Sequence, residues 1–282
     1  MNSRSSAPVA APSRETMAAR MLTGRWLGVE LCQARYLRHR FPLHAHPEVH
    51  VALIEAGRYH YRQDGRSQVV EAGDLLFLPP DEPHDGSAVD VAGYAYRQIL
   101  VPPRLWQGVI EEEGGSAHGI RRAMPGQQAA MRWLRAAFVA DRDGDAMATD
   151  AALAAVILNL GTDGDHGGRR SPAPPRTVRR ALDLMRERFA DPLTLADLAG
   201  ATGTSRFALA RGFRRSYGIG IHEWLMALRL REAKRCLAQG MPAAEAAAAN
   251  GFSDQSHLIR RFKRIYGVTP GQFFAACTSI QS

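Results

Sequence analysis

Two sets of residues carry types and spacings that could do chemistry. The first is histidine: His44, His46 and His50 in one short run, and His84 about forty residues on. Imidazoles can ligate a metal, donate or accept hydrogen bonds to a small molecule, or shuttle protons. The second is a sequence written twice. Leu209-Ala210-Arg211-Gly212-Phe213-Arg214-Arg215-Ser216-Tyr217-Gly218 returns 49 positions later as Leu258-Ile259-Arg260-Arg261-Phe262-Lys263-Arg264-Ile265-Tyr266-Gly267. Arginine matches guanine with two parallel bonds and glutamine matches adenine, so Arg211, Gln255 and Arg260 have the chemistry of base readers. The remaining basic residues suit phosphates, which give affinity without reading sequence.

Helices must position the repeated residues. In the first copy Thr194 can cap a helix from Leu195, and Ser205 a second one ending at Gly218. Leu209, Phe213 and Tyr217 fall at i, i+4, i+8 and make an inward stripe. That leaves Ser205, Arg206, Phe207, Ala210, Arg211, Arg214 and Arg215 for a ligand. The second copy has a helix over Ala243–Ala249, a turn at Asn250-Gly251 and Asp254 as cap. Leu258, Phe262 and Tyr266 are expected inside, with Gln255, Ser256, Ile259, Arg260 and Lys263 available outside. A basic second helix after a tight turn is the geometry that enters a major groove. Two solvated surface helices with idle charges are the bland alternative, and the repetition argues against it.

Charge agrees with this division. The 282-residue chain has a net charge of +8. From Arg176 onward it holds 17 Lys and Arg against 8 Asp and Glu, whereas the preceding part is close to neutral. Cys32, Cys236 and Cys277 have no metal-type spacing, and their odd number argues against a disulfide framework, which suits a reducing cytoplasm. No apolar run is long enough to span a bilayer. Residues 1–24 lack a signal-peptide core and read as a disordered tail.

The histidines call for strands. Between Trp26 and Val101 short β runs are expected at Val49–Ile54, Arg58–Arg62, Gln68–Glu71, Leu75–Leu78 and Tyr94–Leu100. They are punctuated by Gly57, Asp64-Gly65 and Ala72-Gly73-Asp74. Residues 102–161 return to helical period, with stripes Met131, Leu134, Phe138 and Leu153, Val156, Ile157, Leu160; such helices could pack on the barrel, and a dimer contact is the favoured reading. The Gly- and Pro-rich stretch 162–175 reads as a flexible linker. Beyond it an amphipathic helix covers Thr177–Phe189, and the longest helix, Trp224–Gln239, joins the repeated units. Its Arg229 suits a buried ion pair, a phosphate or an exposed position.

The C-terminal part, residues 176–276, resembles the AraC/XylS family of bacterial transcription regulators. The resemblance rests on Leu198-Ala199, Ser205, Leu209, Arg211, Phe213, Trp224-Leu225 through Leu237, and the tail signature Gly251-Phe252-Ser253-Asp254-Gln255-Ser256-His257 to Gly267-Val268-Thr269-Pro270. It implies two helix-turn-helix units on one face of a duplex. The near-pure alanine of Ala243–Ala249 departs from the family's Ile or Leu and predicts thin packing there.

Residues 25–101 resemble the cupin-type sensor domain of such regulators. The matching residues are Phe41-Pro42-x-His44-x-His46, Gly57, Gly73-Asp74 and Pro80-Asp81-Glu82-x-His84-Asp85-Gly86. Metal-dependent cupins add a Glu a few residues after the paired histidines. Here His50 or Val51 stands in that place, and Glu48 comes too early. By strand parity His46, Glu48, His50 and Ala52 share a face, so a four-histidine site is conceivable. The preferred reading is a pocket lining, with no metal and no cofactor. Arg97, on the strand after His84, could meet an anionic effector or lie on the surface.

The fold class expected is therefore α+β with two domains: a cupin-like barrel with a helical dimerisation segment, then an all-α domain with two helix-turn-helix units and a short tail, 277–282. The resemblance implies a cytoplasmic, effector-responsive regulator, an activator in the first instance, with double-stranded DNA, a small molecule, a second copy and RNA polymerase as partners. The alternative is a metal-dependent cupin enzyme carrying a DNA-binding appendage. Of the two units, the first is expected to anchor more firmly, and the second to be the half that the sensor domain controls.

Overall fold

A computed structural model describes residues 15–22, 24–63, 65–112, 127–161 and 174–281. Most of the expected tail and linker, residues 1–14, 23 and 162–173, lies outside the described residues. The N-terminal half is one curled antiparallel sheet of eight strands: β1 (Thr16–Met21), β2 (Glu30–Tyr36), β3 (Arg40–His44), β4 (Val49–Gln63), β5 (Arg66–Glu71), β6 (Leu75–Leu78), β7 (His84–Ala88) and β8 (Tyr94–Val101). The order is β1-β2-β8-β4-β7-β3, with β5 and β6 also paired to β4.

β4 is the spine. Its first half pairs with β6 and β8, and its second half with β5 and β7. The sequence pattern predicts two strands where this single one runs, because Gly57 reads as punctuation. Instead the strand bends there: a register shift lies between Ile54 and Ala56, and Gly57 has φ +73°. A Cβ on Gly57 would meet the carbonyl oxygen of Gly93 at 2.0 Å, so only glycine permits this approach of β4 to β8.

The boundaries drawn at both ends of the chain need correction. Part of the supposed 1–24 tail is β1, whose Met17, Ala18 and Ala19 are buried. Methionine and alanine have little intrinsic strand preference; pairing to β2 and cover from the last helix decide the matter. The supposed 277–282 tail continues that helix, α10 (Pro270–Gln281), and Cys277 is buried with its Sγ accepting from the Ala19 amide.

Three helices follow the sheet: α1 (Pro103–Glu112), α2 (Gln128–Arg142) and α3 (Ala146–Gly161). Both stripes expected at a dimer contact turn largely inward. Met131, Leu134, Leu153, Val156, Ile157 and Leu160 are buried in one cluster with Val51, Leu53, Phe77, Ile99 and Trp106, and Phe138 packs at its edge. The large apolar side chains left exposed on α2 and α3 are Trp133, Val139 and Met147.

The C-terminal half is helical: α4 (Arg176–Glu187), α5 (Leu195–Thr202), α6 (Arg206–Tyr217), α7 (Ile221–Ala238), α8 (Ala243–Ala249), α9 (Gln255–Tyr266) and α10. Among the described residues no helix is long and apolar enough to cross a membrane. The expected caps are in place. Thr194 and Asp197 form a reciprocal capping box, Ser205 accepts from the Ala208 amide, and Asp254 accepts from the His257 amide. Gly218 and Gly267 end α6 and α9 in left-handed conformation.

Two apolar clusters divide this half. One gathers α4, α5, α6 and the start of α7 around Phe213 and Trp224. The other takes the end of α7 with α8, α9 and α10 and runs without a break into the barrel interior. The alanine helix is not thinly packed: Ala246 and Ala247 are 0% and 1% exposed. Small side chains let α8 sit close against its neighbours, which substitutes proximity for bulk.

Candidate nucleic-acid interface and effector cavity

On α6 the inward face holds Leu209, Gly212, Phe213 and Tyr217, a stripe set by the helical period. Ser205, Arg206, Phe207, Arg211, Arg214 and Arg215 are exposed and Ala210 is half-buried. Phe207 is 83% exposed, a large apolar side chain with no partner in the fold's own core. On α9, Leu258 and Phe262 are inside, while Gln255, Ser256, Arg260 and Lys263 are exposed and Ile259 is half-buried. Tyr266 differs from expectation. It is only half-buried, because it faces the barrel instead of the helical core.

Arg229 does neither of the two jobs suggested by its sequence position. Its guanidinium donates to three backbone carbonyls, those of Phe189, Asp191 and Gly251, each at 2.7 Å. It thus ties the end of the α4 segment and the turn between α8 and α9 to α7. Five N–H donors in a planar fork make arginine able to hold three acceptors at once. The effect is to fix one helix-turn-helix unit relative to the other.

The histidines line a cavity of about 110 Å³ inside the sheet. His44, His46, His50 and His84 all reach it. Their ring centroids lie 4.4 Å apart for His44 and His84, 4.8 Å for His46 and His84, and 3.3 Å for His46 and His50. His44, His46 and His84 each place Nδ1 on a backbone carbonyl, those of Pro42, Glu48 and Glu82. A carbonyl only accepts, so each Nδ1 donates and each Nε2 keeps a lone pair. Burial pushes all four imidazoles below their ordinary range, His84 to about 3, and neighbouring imidazoles push the same way. All four are neutral at physiological pH.

Strand parity explains which other residues take part. Tyr94, Tyr96, Gln98 and Leu100 of β8 face the cavity, as do Tyr36 and Tyr59. Arg97 lies between two of these and therefore points the other way. It stands 3.8 Å from Glu55 and over the Phe138 ring, outside the cavity, so it is not an effector ligand there.

Sequence reasoning missed the cavity's lid. Ala227, Arg231 and Lys234 of α7, with Ile265 and Tyr266 of α9, close it. Lys234 Nζ lies 2.6 Å from Glu30 of β2, and Arg231 Nη1 lies 2.5 Å from Glu48. Burial alone would lower the Lys234 ammonium, but the Glu30 carboxylate outweighs it and holds the group above its usual range. Tyr36 donates its hydroxyl to the Tyr266 carbonyl at 2.9 Å, and His39 Nε2 donates to the Ile265 carbonyl at 3.0 Å. Arg186 of α4 meets Asp81 at 2.8 Å. One signal was available: Lys234 interrupts the apolar run Leu230, Ala233, Leu237, and a charge there needs a partner.

Comparison with known proteins agrees with this anatomy. An AraC-like ligand binding domain matches residues 27–157, and a helix-turn-helix domain matches residues 198–276. The Bacillus subtilis HTH-type transcriptional regulator YbfI is 27% identical over 237 residues, 82% of this chain and 86% of its own length. The Escherichia coli arabinose operon regulatory protein is 26% identical over 223 residues, covering 77% and 76% of the two chains. In fold, the chain is similar to a single-residue variant of apo ToxT from Vibrio cholerae, with a TM-score of 0.66, 12% identity, and coverage of 92% and 99%. The relatives and both matched domains are those of regulators, which does not favour an enzyme with an appendage. With a ligand-binding sheet ahead of two capped, basic helix-turn-helix units, the chain belongs to the AraC family of DNA-binding transcription regulators.

Proposed function

We propose that a small effector in the cavity sets how firmly the second helix-turn-helix unit is held to the barrel. The observation that carries this is the cavity's shared wall: one side is sheet, the other is α7 and α9. A molecule seated there touches both domains and so binds two arrangements of them unequally, which is what a ligand must do to shift an equilibrium. The tyrosine wall suits a compact ring-bearing molecule.

Base reading falls to Arg211, Gln255 and Arg260, with Ser205, Arg206, Phe207, Ala210, Arg214, Arg215, Ser256, Ile259 and Lys263 around them. The second copy in a homodimer would use the surface left on α2 and α3 around Trp133 and Val139. The regulator works in the cytoplasm, on double-stranded promoter or operator DNA, as an activator that meets RNA polymerase.

Genome-wide footprinting tests this reading. Bound sites should cluster upstream of a small gene set, and duplexes from them should outcompete scrambled ones at moderate salt. Equal affinity for scrambled DNA would overturn it.

A further inference from the structure

Among the described residues, three polar atoms in the cavity wall have no partner: Nε2 of His46, Nε2 of His50 and Oε2 of Glu48. Glu48 as a whole is 8% exposed. One ligand atom from each of the three residues lies within 4.8 Å of the others. The opposite ends are already committed. His46 Nδ1 is held by the Glu48 carbonyl, and Glu48 Oε1 accepts from Arg231. His46 Nε2 and Glu48 Oε2 are therefore two acceptors at one point of a buried wall, with the neutral imidazole of His50 stacked beside them. Leaving buried polar atoms unmet is costly, and three of them converge here.

We propose that His46, Glu48 and His50 hold a divalent transition-metal ion. Two imidazoles and a carboxylate are the donor set for zinc, iron(II) or nickel, in preference to magnesium or calcium, which take all-oxygen sites. Pinning Nδ1 of a ligand on a carbonyl is the support such histidines require, and His46 has it. The His46 and His50 rings now lie stacked, 5° from parallel. A metal sits in the plane of each ring it binds, so loading splays the pair. The site goes beyond the effector reading and does not depend on it. It does bear on the same junction, because Glu48 also holds Arg231 of α7. Occupancy is thus felt at the helix that joins the two DNA-binding units.

The test uses the full chain, stripped with chelator and titrated with Co2+, with Zn2+ as competitor and Mg2+ as control. Expected are one equivalent of Co2+ with visible d–d bands, displacement by Zn2+, and a raised thermal midpoint on loading. His46→Asn and His50→Asn should each lower affinity at least tenfold, and Glu48→Gln should do so as well. The three variants guard against one that fails to fold, since binding must fall in every one that keeps its far-UV spectrum. No Co2+ uptake above the Mg2+ level by the wild-type chain would overturn the proposal. So would undiminished uptake by any folded variant of the three.

Discussion

Lys234 of α7 and Glu30 of β2 meet at 2.6 Å with both side chains buried, Lys234 3% and Glu30 5% exposed. The pair bolts the DNA-binding domain to the sheet of the effector domain. Its two members are worth different things together and apart. Removing one leaves a charge in an apolar cluster, whereas removing both leaves ordinary packing. Lys234→Met should therefore cost about 3–5 kcal/mol in urea unfolding, and the Lys234→Met, Glu30→Gln double variant should recover most of it. A double variant as unstable as the single one would show that the pair is not what Lys234 contributes.

Arg229 should tolerate no substitute. A lysine in its place can satisfy one of the carbonyls of Phe189, Asp191 and Gly251 and leaves the others without a donor. Arg229→Lys is expected to cost about 2–4 kcal/mol of stability and to weaken DNA binding, since the two units lose their fixed relation. The prediction is checked by chemical denaturation and by fluorescence anisotropy on a footprinted duplex. Stability within about 0.5 kcal/mol of wild type, the usual range of surface changes, would count against the clamp.

Acid should loosen the barrel. His44, His46, His50 and His84 are buried neutral, so their folded pKa values lie below the unfolded value near 6.5. Their contribution is complete above pH ~6.5 and is lost as pH falls toward the folded values, about 3 for His84. At pH 5 keeping the His84 imidazole neutral costs about 2 kcal/mol. The metal-free chain should melt several degrees lower at pH 5 than at pH 7.5. His84→Gln should shrink that difference, and an unchanged difference would point to other groups.

The sequence is most legible where a single element determines its own form. The caps at Thr194, Ser205 and Asp254, the stripe of α6, and Leu258 and Phe262 of the α9 stripe need only local chemistry and are found, whereas Tyr266 turns to the barrel. The four histidines also line one cavity, His46 from the turn between β3 and β4, where Ala45 and Pro47 reach it too, and His50 and Ala52 from one face of β4. What local pattern does not give is the meeting of distant segments. β1 is a strand only because β2 and α10 cover it. Arg97 and Gln98 can be told apart only once β8's inward face is known. The lid of the cavity depends on pairs more than 180 residues apart, Glu48 with Arg231 and Glu30 with Lys234. Thin packing at α8 follows from side-chain size alone, which ignores how closely alanine lets helices approach.

Ala247 is where the packing of α8 can be probed. If Ala247 were loosely packed, Ala247→Ile would firm up the second unit and strengthen DNA binding. At 1% exposure there is no free surface for the added carbons to cover. The expected result is the reverse, a loss of about 1–3 kcal/mol from overpacking, read as a lower urea midpoint together with weaker binding. A midpoint at or above that of wild type would restore the thin-packing view.

Phe207 separates folding from recognition. At 83% exposure its ring contributes little to the folded core, so Phe207→Ala should leave the thermal midpoint unchanged within about 1–2 °C. Yet it stands in the first turn of α6 beside Arg206 and within reach of Ala210 and Arg211 on the same exposed surface. An apolar ring carried into a major groove meets the thymine methyl, the one apolar group on a base edge there. Phe207→Ala should then weaken binding by about 1–3 kcal/mol on sites with the thymine. On sites where that base is changed, the loss should be much smaller. Arg214→Ala offers the contrast: as a phosphate contact it should weaken binding evenly across sequences and lower the salt slope by about one. Equal losses for Phe207→Ala on matched and altered sites would place the ring outside the groove.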